Sequence, residues 1–176
     1  MAQQEATVTE TNQKAAQRLL AGEQLGAVIG LSELQVQGFA ALGYNLYQQG
    51  QLKEAEKLFR GVTAFDSKSY LGYAGLGAVA LATKPPDLDA AYTNLTKALE
   101  LKPTDASVQA NLGEVLLRQG KLEEAKKHLE RAFQLDPGHN DPGANRARAL
   151  VSGLDMIVKE LQSRMQAQGK PVAKAS

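Results

Sequence analysis

The chain has 176 residues, of which 43% are hydrophobic and 5% aromatic, with no Trp and no Cys. This length and apolar content suffice for a continuous core, built from small and aliphatic side chains instead of large rings. A formal net charge of +1 excludes a broad basic field for nucleic acid or an acidic membrane, and the absence of cysteine excludes a disulfide framework or a thiolate metal site.

In chain order, residues 1–12 are polar and predict disorder; with neither a basic start nor an apolar run they do not read as a signal peptide, so the expected location is cytoplasmic. Residues 13–31 predict an N-terminal helix with an apolar stripe at Ala15, Ala16, Leu19 and Leu20. Two readings of that stripe stay open, packing on the chain's own repeats or a homodimer through this helix. The apolar stretch Gly26 to Leu31 is far shorter than the roughly 20 residues of a membrane span, so no membrane insertion is expected. Ser32 with Gln35 has the spacing of a capping box and starts the next helix.

Three similar units then follow, at about 32–69, 70–105 and 106–139. The first carries Leu42, Gly43, Gly50, Leu52, Ala55 and Phe59; the second Leu76, Gly77, Leu88, Ala91, Leu95, Ala98 and Pro103; the third Leu112, Gly113, Gly120, Leu122, Ala125, Leu129, Ala132 and Pro137. Small residues recur where two antiparallel helices must approach, with Leu or Phe filling the gaps beside them. Gly50 and Gly120 stand where a left-handed residue closes the turn between the helices of a unit. In the middle unit Lys84-Pro85-Pro86-Asp87 lengthens that turn, so 36 residues separate Gly77 from Gly113 while 34 separate Gly43 from Gly77. Behind the units, Asp141-Pro142 opens a helix over 140–165 whose Ala147, Leu150, Val151, Leu154, Ile157, Val158 and Leu161 are expected to cap the last apolar face. Residues 166–176 predict disorder.

A period of about 34 residues with these marks resembles the tetratricopeptide repeat. The predicted fold is all-α, a tetratricopeptide-repeat solenoid of three helix-turn-helix repeats with flanking N- and C-terminal helices. The first helix of each unit is expected to line the concave side. That register selects Ala40, Tyr44, Tyr47 and Gln48 in the first unit, Leu71, Ala74, Ala78, Leu81 and Ala82 in the second, and Ser107, Ala110, Glu114, Leu117 and Arg118 in the third. Tyr44 and Tyr47 offer broad faces with a polar tip, the kind of side chain that anchors peptide interfaces, while the alanines leave room for a ligand side chain. Both rings could instead cover the N-terminal helix.

The run from Arg18 to Ala78 resembles the type III secretion chaperones that protect translocator proteins. The likeness rests on three features in order: a helix ending in a Gly-containing segment before Leu31-Ser32, the first repeat helix LGYNLYQQG, and the GLGA opening of the second repeat. What the resemblance implies is a cytosolic holdase of a Gram-negative bacterium. Its partner would be an extended segment of a hydrophobic client protein, held until export, and members dimerise through the N-terminal region. The resemblance also implies that Tyr44 and Tyr47 touch a proline- and leucine-bearing client segment, and that Ala40, often aromatic in the family, makes any pocket there shallower. A general repeat scaffold or adaptor in another bacterial assembly is the alternative.

No catalytic, cofactor or metal site is expected. Gly75-x-Gly77-x-x-Ala80 imitates a dinucleotide fingerprint, but no strand precedes it and Leu76-Gly77 already belongs to the repeat. His128 and His139 lack a second ligand at metal spacing and read as solvated surface residues. A clamp for a terminal carboxylate needs Lys, Arg and Asn at places that Ala40, Tyr44, Gly75 and Ser107 occupy. Asn94-Leu95-Thr96 spells a glycosylation acceptor by accident.

Overall fold

The computed structural model describes residues 2–167, with side chains from 11 to 166, and among them there are nine helices and no strand. They are α1 (Ala2–Leu20), α2 (Leu25–Val28), α3 (Glu33–Gln48), α4 (Leu52–Phe65), α5 (Tyr70–Ala82), α6 (Leu88–Leu101), α7 (Ala106–Arg118), α8 (Leu122–Gln134) and α9 (Pro142–Ala167). The chain forms two compact units, Met1–Pro103 and Thr104–Ser176.

In the first unit α3 pairs with α4 and α5 with α6, each as an antiparallel hairpin. The predicted capping box starts α3: the Gln35 N–H donates to the Ser32 hydroxyl, and the Ser32 N–H donates to the Gln35 side chain. Such a cap is worth about 1 kcal/mol. Gly50 ends the hairpin's first helix at φ +76°, the left-handed conformation its residue type allows without strain. Where the helices cross, glycine makes a socket for a large side chain. A Cβ built on Gly43 would stand 3.0 Å from the Phe59 ring, and one on Gly77 2.5 Å from Leu95 Cγ.

Helix α5 is squeezed from two sides. Cβ atoms at Gly72 and Gly75 would collide with Thr63 and Phe59 of α4 at 2.6 and 2.3 Å, while Gly77 faces α6. The Gly75 and Gly77 of the apparent dinucleotide fingerprint are therefore sockets for Phe59 and Leu95, and the backbone approach they permit is to this chain's own helices. The lengthened turn ends in Asp87, whose carboxylate accepts the Ala90 N–H and starts α6.

The second unit repeats the scheme with Gly113 against Leu129 at 2.7 Å and Gly120 at φ +76°. Ala125, Leu129 and Ala132 are fully buried. Helix α9 packs on both α7 and α8. Its first turn is held by Asp141, which accepts the Ala144 N–H at 2.8 Å and the Ser107 hydroxyl at 2.9 Å. Arg148 then binds the carbonyls of Phe133 and Asp136 and pairs with the Asp136 carboxylate.

Four expectations change. Helix α1 begins at Ala2, so residues 2–12 are helical where disorder was predicted, and the stretch expected as one helix over 13–31 breaks after Leu20 around Gly22 (φ +88°) before α2. The break follows because a left-handed Gly ends a helix. The predicted cap is half of what α9 does: Ala147, Leu150 and Val151 pack on the core, whereas Ile157, Val158 and Leu161 are exposed because α9 outruns its supports. His128 is half-buried and bonded to buried Gln109 at 2.7 Å, and burial lowers its pKa although Glu124 opposes the shift. Most of the tail predicted as disordered lies outside the described residues.

Candidate peptide-binding site

The exposed aromatic pair of the first unit comes from α3. Tyr44 and Tyr47 lie one turn apart on one face, so their rings stack with centroids 6.2 Å apart. Tyr44 is 55% exposed. Tyr47 is half-buried, its body resting on the cluster of Ala55, Phe59 and Val79 together with Leu76. Gln48 beside them is exposed, and Ala74, Ala78 and Ala82 are half-buried on α5.

Two residues expected on that face belong to the interior. Ala40 is only 4% exposed and sits in a cluster with Val36 and Val62, covered by Leu71, because the first helix of the next hairpin leans on it. Leu81 is likewise buried. Leu71 both covers Ala40 and lines a cleft of about 570 Å³.

That cleft lies among α2, the start of α3 and the α4–α5 turn. Leu31, Val36, Phe65 and Leu71 form an apolar part of its wall, and Glu33, Gln37, Asp66, Lys68 and Tyr70 add polar groups. Helix α2 is fixed there by the Gln24 side-chain carbonyl, which accepts from the Ser67 N–H at 2.8 Å and the Ser67 hydroxyl at 3.0 Å. Gly26 lets α2 approach, since a Cβ would stand 3.1 Å from the Phe65 carbonyl oxygen. Sequence reasoning missed Gln24, Gln37 and Phe65. For Gln37 a signal existed, because it precedes Gly43 by the same interval at which Leu71 precedes Gly77. Gln24 and Phe65 meet only through the tertiary fold.

In the second unit the predicted lining is occupied by the chain itself. The Ser107 hydroxyl is spent on Asp141, and Ala110 is buried against Ala147 of α9. Glu114 pairs with Arg118 at 2.6 Å and with Arg146 of α9 at 3.3 Å, and Leu117 packs in the cluster that Leu150 and Val151 complete. Arg118 stays exposed with Glu114 as its counter-ion. Ser107, Ala110, Glu114 and Leu117 thus hold the C-terminal helix, and the open face is that of the first unit. Among the described residues no group of three or more His, Cys, Asp or Glu side chains could hold a metal ion.

A tetratricopeptide-repeat family profile matches residues 86–151. Over that stretch the chain resembles the tetratricopeptide repeat. The chain is 32% identical over 116 residues to DnaJ homolog subfamily C member 3 of Bos taurus, a match that covers 66% of this chain but spans only 22% of that relative's length. It is also 29% identical over 136 residues to the low calcium response locus protein H of Yersinia pestis, covering 76% of this chain and 79% of that one. Among solved structures it resembles PcrH in complex with the chaperone-binding region of PopB, with a TM-score of 0.58, 25% identity, and coverage of 68% of this chain and 97% of that one. In fold it also resembles the type III secretion translocator chaperone SycD of Yersinia enterocolitica, with a TM-score of 0.61, 22% identity, and coverage of 74% of this chain and 98% of that one.

Proposed function

We propose that this protein is a cytoplasmic holdase that binds an extended segment of a hydrophobic, translocator-type client along α3 and α5 and keeps it from self-association before export. The observation that carries the reading is the stacked Tyr44–Tyr47 pair on α3, with Tyr44 exposed and Tyr47 half-buried, together with the half-buried Ala74, Ala78 and Ala82 of α5. The likeness to PcrH, a protein solved with a chaperone-binding region, supports it. Aromatic faces supply contact area at small entropic cost, and the alanines leave the depth that a client Leu or Pro fills. No nucleotide or metal enters this mechanism; binding and release are a matter of affinity, and no covalent chemistry is involved. No described helix is long and apolar enough to cross a membrane, in keeping with a chaperone that meets its client in the cytoplasm.

A homodimer through α1 belongs to the same proposal. Leu19 and Leu20 are 43% and 89% exposed, and α1 is fastened to α2 by Arg18, which binds Glu23 and the carbonyls of Ala27 and Val28. Its stripe is therefore presented outward.

The test is affinity purification from the native host with the wild-type protein and with Tyr44→Ala. Pore-forming translocator subunits should co-purify with the wild type, and the variant should bind the purified client about 1–3 kcal/mol more weakly, the range of a lost aromatic anchor. Recovery of soluble assembly factors in place of pore subunits would point to the scaffold alternative. Unchanged affinity of Tyr44→Ala would remove the α3 face from the site.

A further inference from the structure

The cleft beside α2 is joined to the tyrosine face by the helix that carries both. Gln37 in its wall and Tyr44 lie seven residues apart on one face of α3, and Leu71 continues along α5 as Ala74 and Ala78 at three- and four-residue spacing. Seven helical residues rise about 10 Å, the reach of roughly three residues of extended chain, so one bound segment can touch the rings and enter the cleft. The walls are fixed before anything binds. Gln24 ties α2 to Ser67, and Val36, Phe65 and Leu71 belong to the packed cluster under α3.

Size and charge indicate what enters. A volume of about 570 Å³ falls within the range of pockets that bury a small ligand whole, so it admits more than one side chain. Leu31, Val36, Phe65 and Leu71 take an aliphatic group out of water. Glu23 is matched by Arg18 at 2.7 Å, which leaves Glu33 and Asp66 on the wall against one ammonium, that of Lys68. Lys and Arg suit both parts, because their stems lie along apolar surface while the cation reaches a carboxylate. The chain's own residues 1–10 carry Glu5 and Glu10 and no Lys or Arg, so their charge does not suit this wall. Resting on the holdase reading, we propose that the cleft is a second client subsite. It receives an aliphatic side chain and a Lys or Arg two positions away, on the same side of the extended segment that lies on Tyr44 and Tyr47.

Synthetic dodecapeptides titrated against the full-length protein test this. Each carries two Leu residues three or four positions apart in a Ser- and Pro-based background, with Arg, Gln or Glu two positions outside one of them. The wild type should bind the Arg peptide about two- to five-fold more tightly than the Gln peptide, the range of partly exposed ion pairs, and the Glu peptide more weakly still. Lys68→Glu should widen that preference and Glu33→Lys should reverse it, both with unchanged helical circular dichroism. Tyr44→Ala should weaken all three peptides while keeping their order. Equal binding of the three by the wild type, or an order that Glu33→Lys and Lys68→Glu leave unmoved, would overturn the subsite; where Tyr44→Ala still weakens that binding, the holdase reading stands. Binding of no peptide would overturn both. Weaker binding of every peptide by a Glu5→Gln, Glu10→Gln protein would place this chain's own N-terminal segment in the cleft and overturn the client assignment.

Discussion

At the scale of single residues, glycine has opposite consequences according to what stands beside it. Gly38 in α3 has nothing within 4 Å of a built Cβ, whereas at Gly75 the Phe59 ring would lie 2.3 Å away, and Phe59 is itself only 3% exposed. Gly38→Ala should therefore stabilise the protein by about 0.5–1 kcal/mol through helix propensity. Gly75→Ala gains the same propensity but overpacks a ring that cannot retreat, and a net loss of about 1–2 kcal/mol is expected. Urea titration of both variants checks the difference in sign. Residues of this kind were legible in the sequence: the Leu-Gly pairs, the capping pair Ser32 and Gln35, and the turn glycines Gly50 and Gly120 all act locally. Ala40, Ser107 and Glu114 were misjudged for a physical reason. Repeat register says which way a side chain leaves its own helix, and it does not say whether a neighbouring helix already lies there.

Among the elements, α9 shows how a single cap residue can hold a whole helix. Asp141 caps its first turn and accepts the Ser107 hydroxyl from α7. Asp141→Ala should cost about 1–2 kcal/mol, the cap plus a half-buried hydroxyl left without its partner. Ser107→Ala removes the same bond from the other side without exposing an orphan carboxylate, so it should cost less; thermal unfolding of the two variants ranks them. Helices α3 to α8 were legible because period and punctuation agree. The break between α1 and α2 depended on Gly22 and on the Gln24–Ser67 contact, which joins segments far apart in the chain and leaves no local trace.

At the scale of the whole molecule, the two units differ in what they report. All five tyrosines, Tyr44, Tyr47, Tyr70, Tyr73 and Tyr92, precede residue 103, and there is no tryptophan. Tyrosine fluorescence therefore reads the first unit alone, while far-ultraviolet circular dichroism reads both. Leu129 is fully buried in the second unit, and Leu129→Ala should remove about 2–5 kcal/mol of stability there. Its amide-detected transition should move to lower denaturant by more than the tyrosine-detected one. Coincident shifts would mean that the units unfold together.

The three glycines of α5 also limit how the proposed recognition can be altered. A helix whose backbone touches a neighbour on two sides has little latitude for new side chains, because a larger residue at 72, 75 or 77 displaces a helix before it reaches a ligand. On the proposed reading, retargeting this protein to another polypeptide would have to be written on α3, at Tyr44, Gln48 and the positions around them, with α5 kept as a fixed wall.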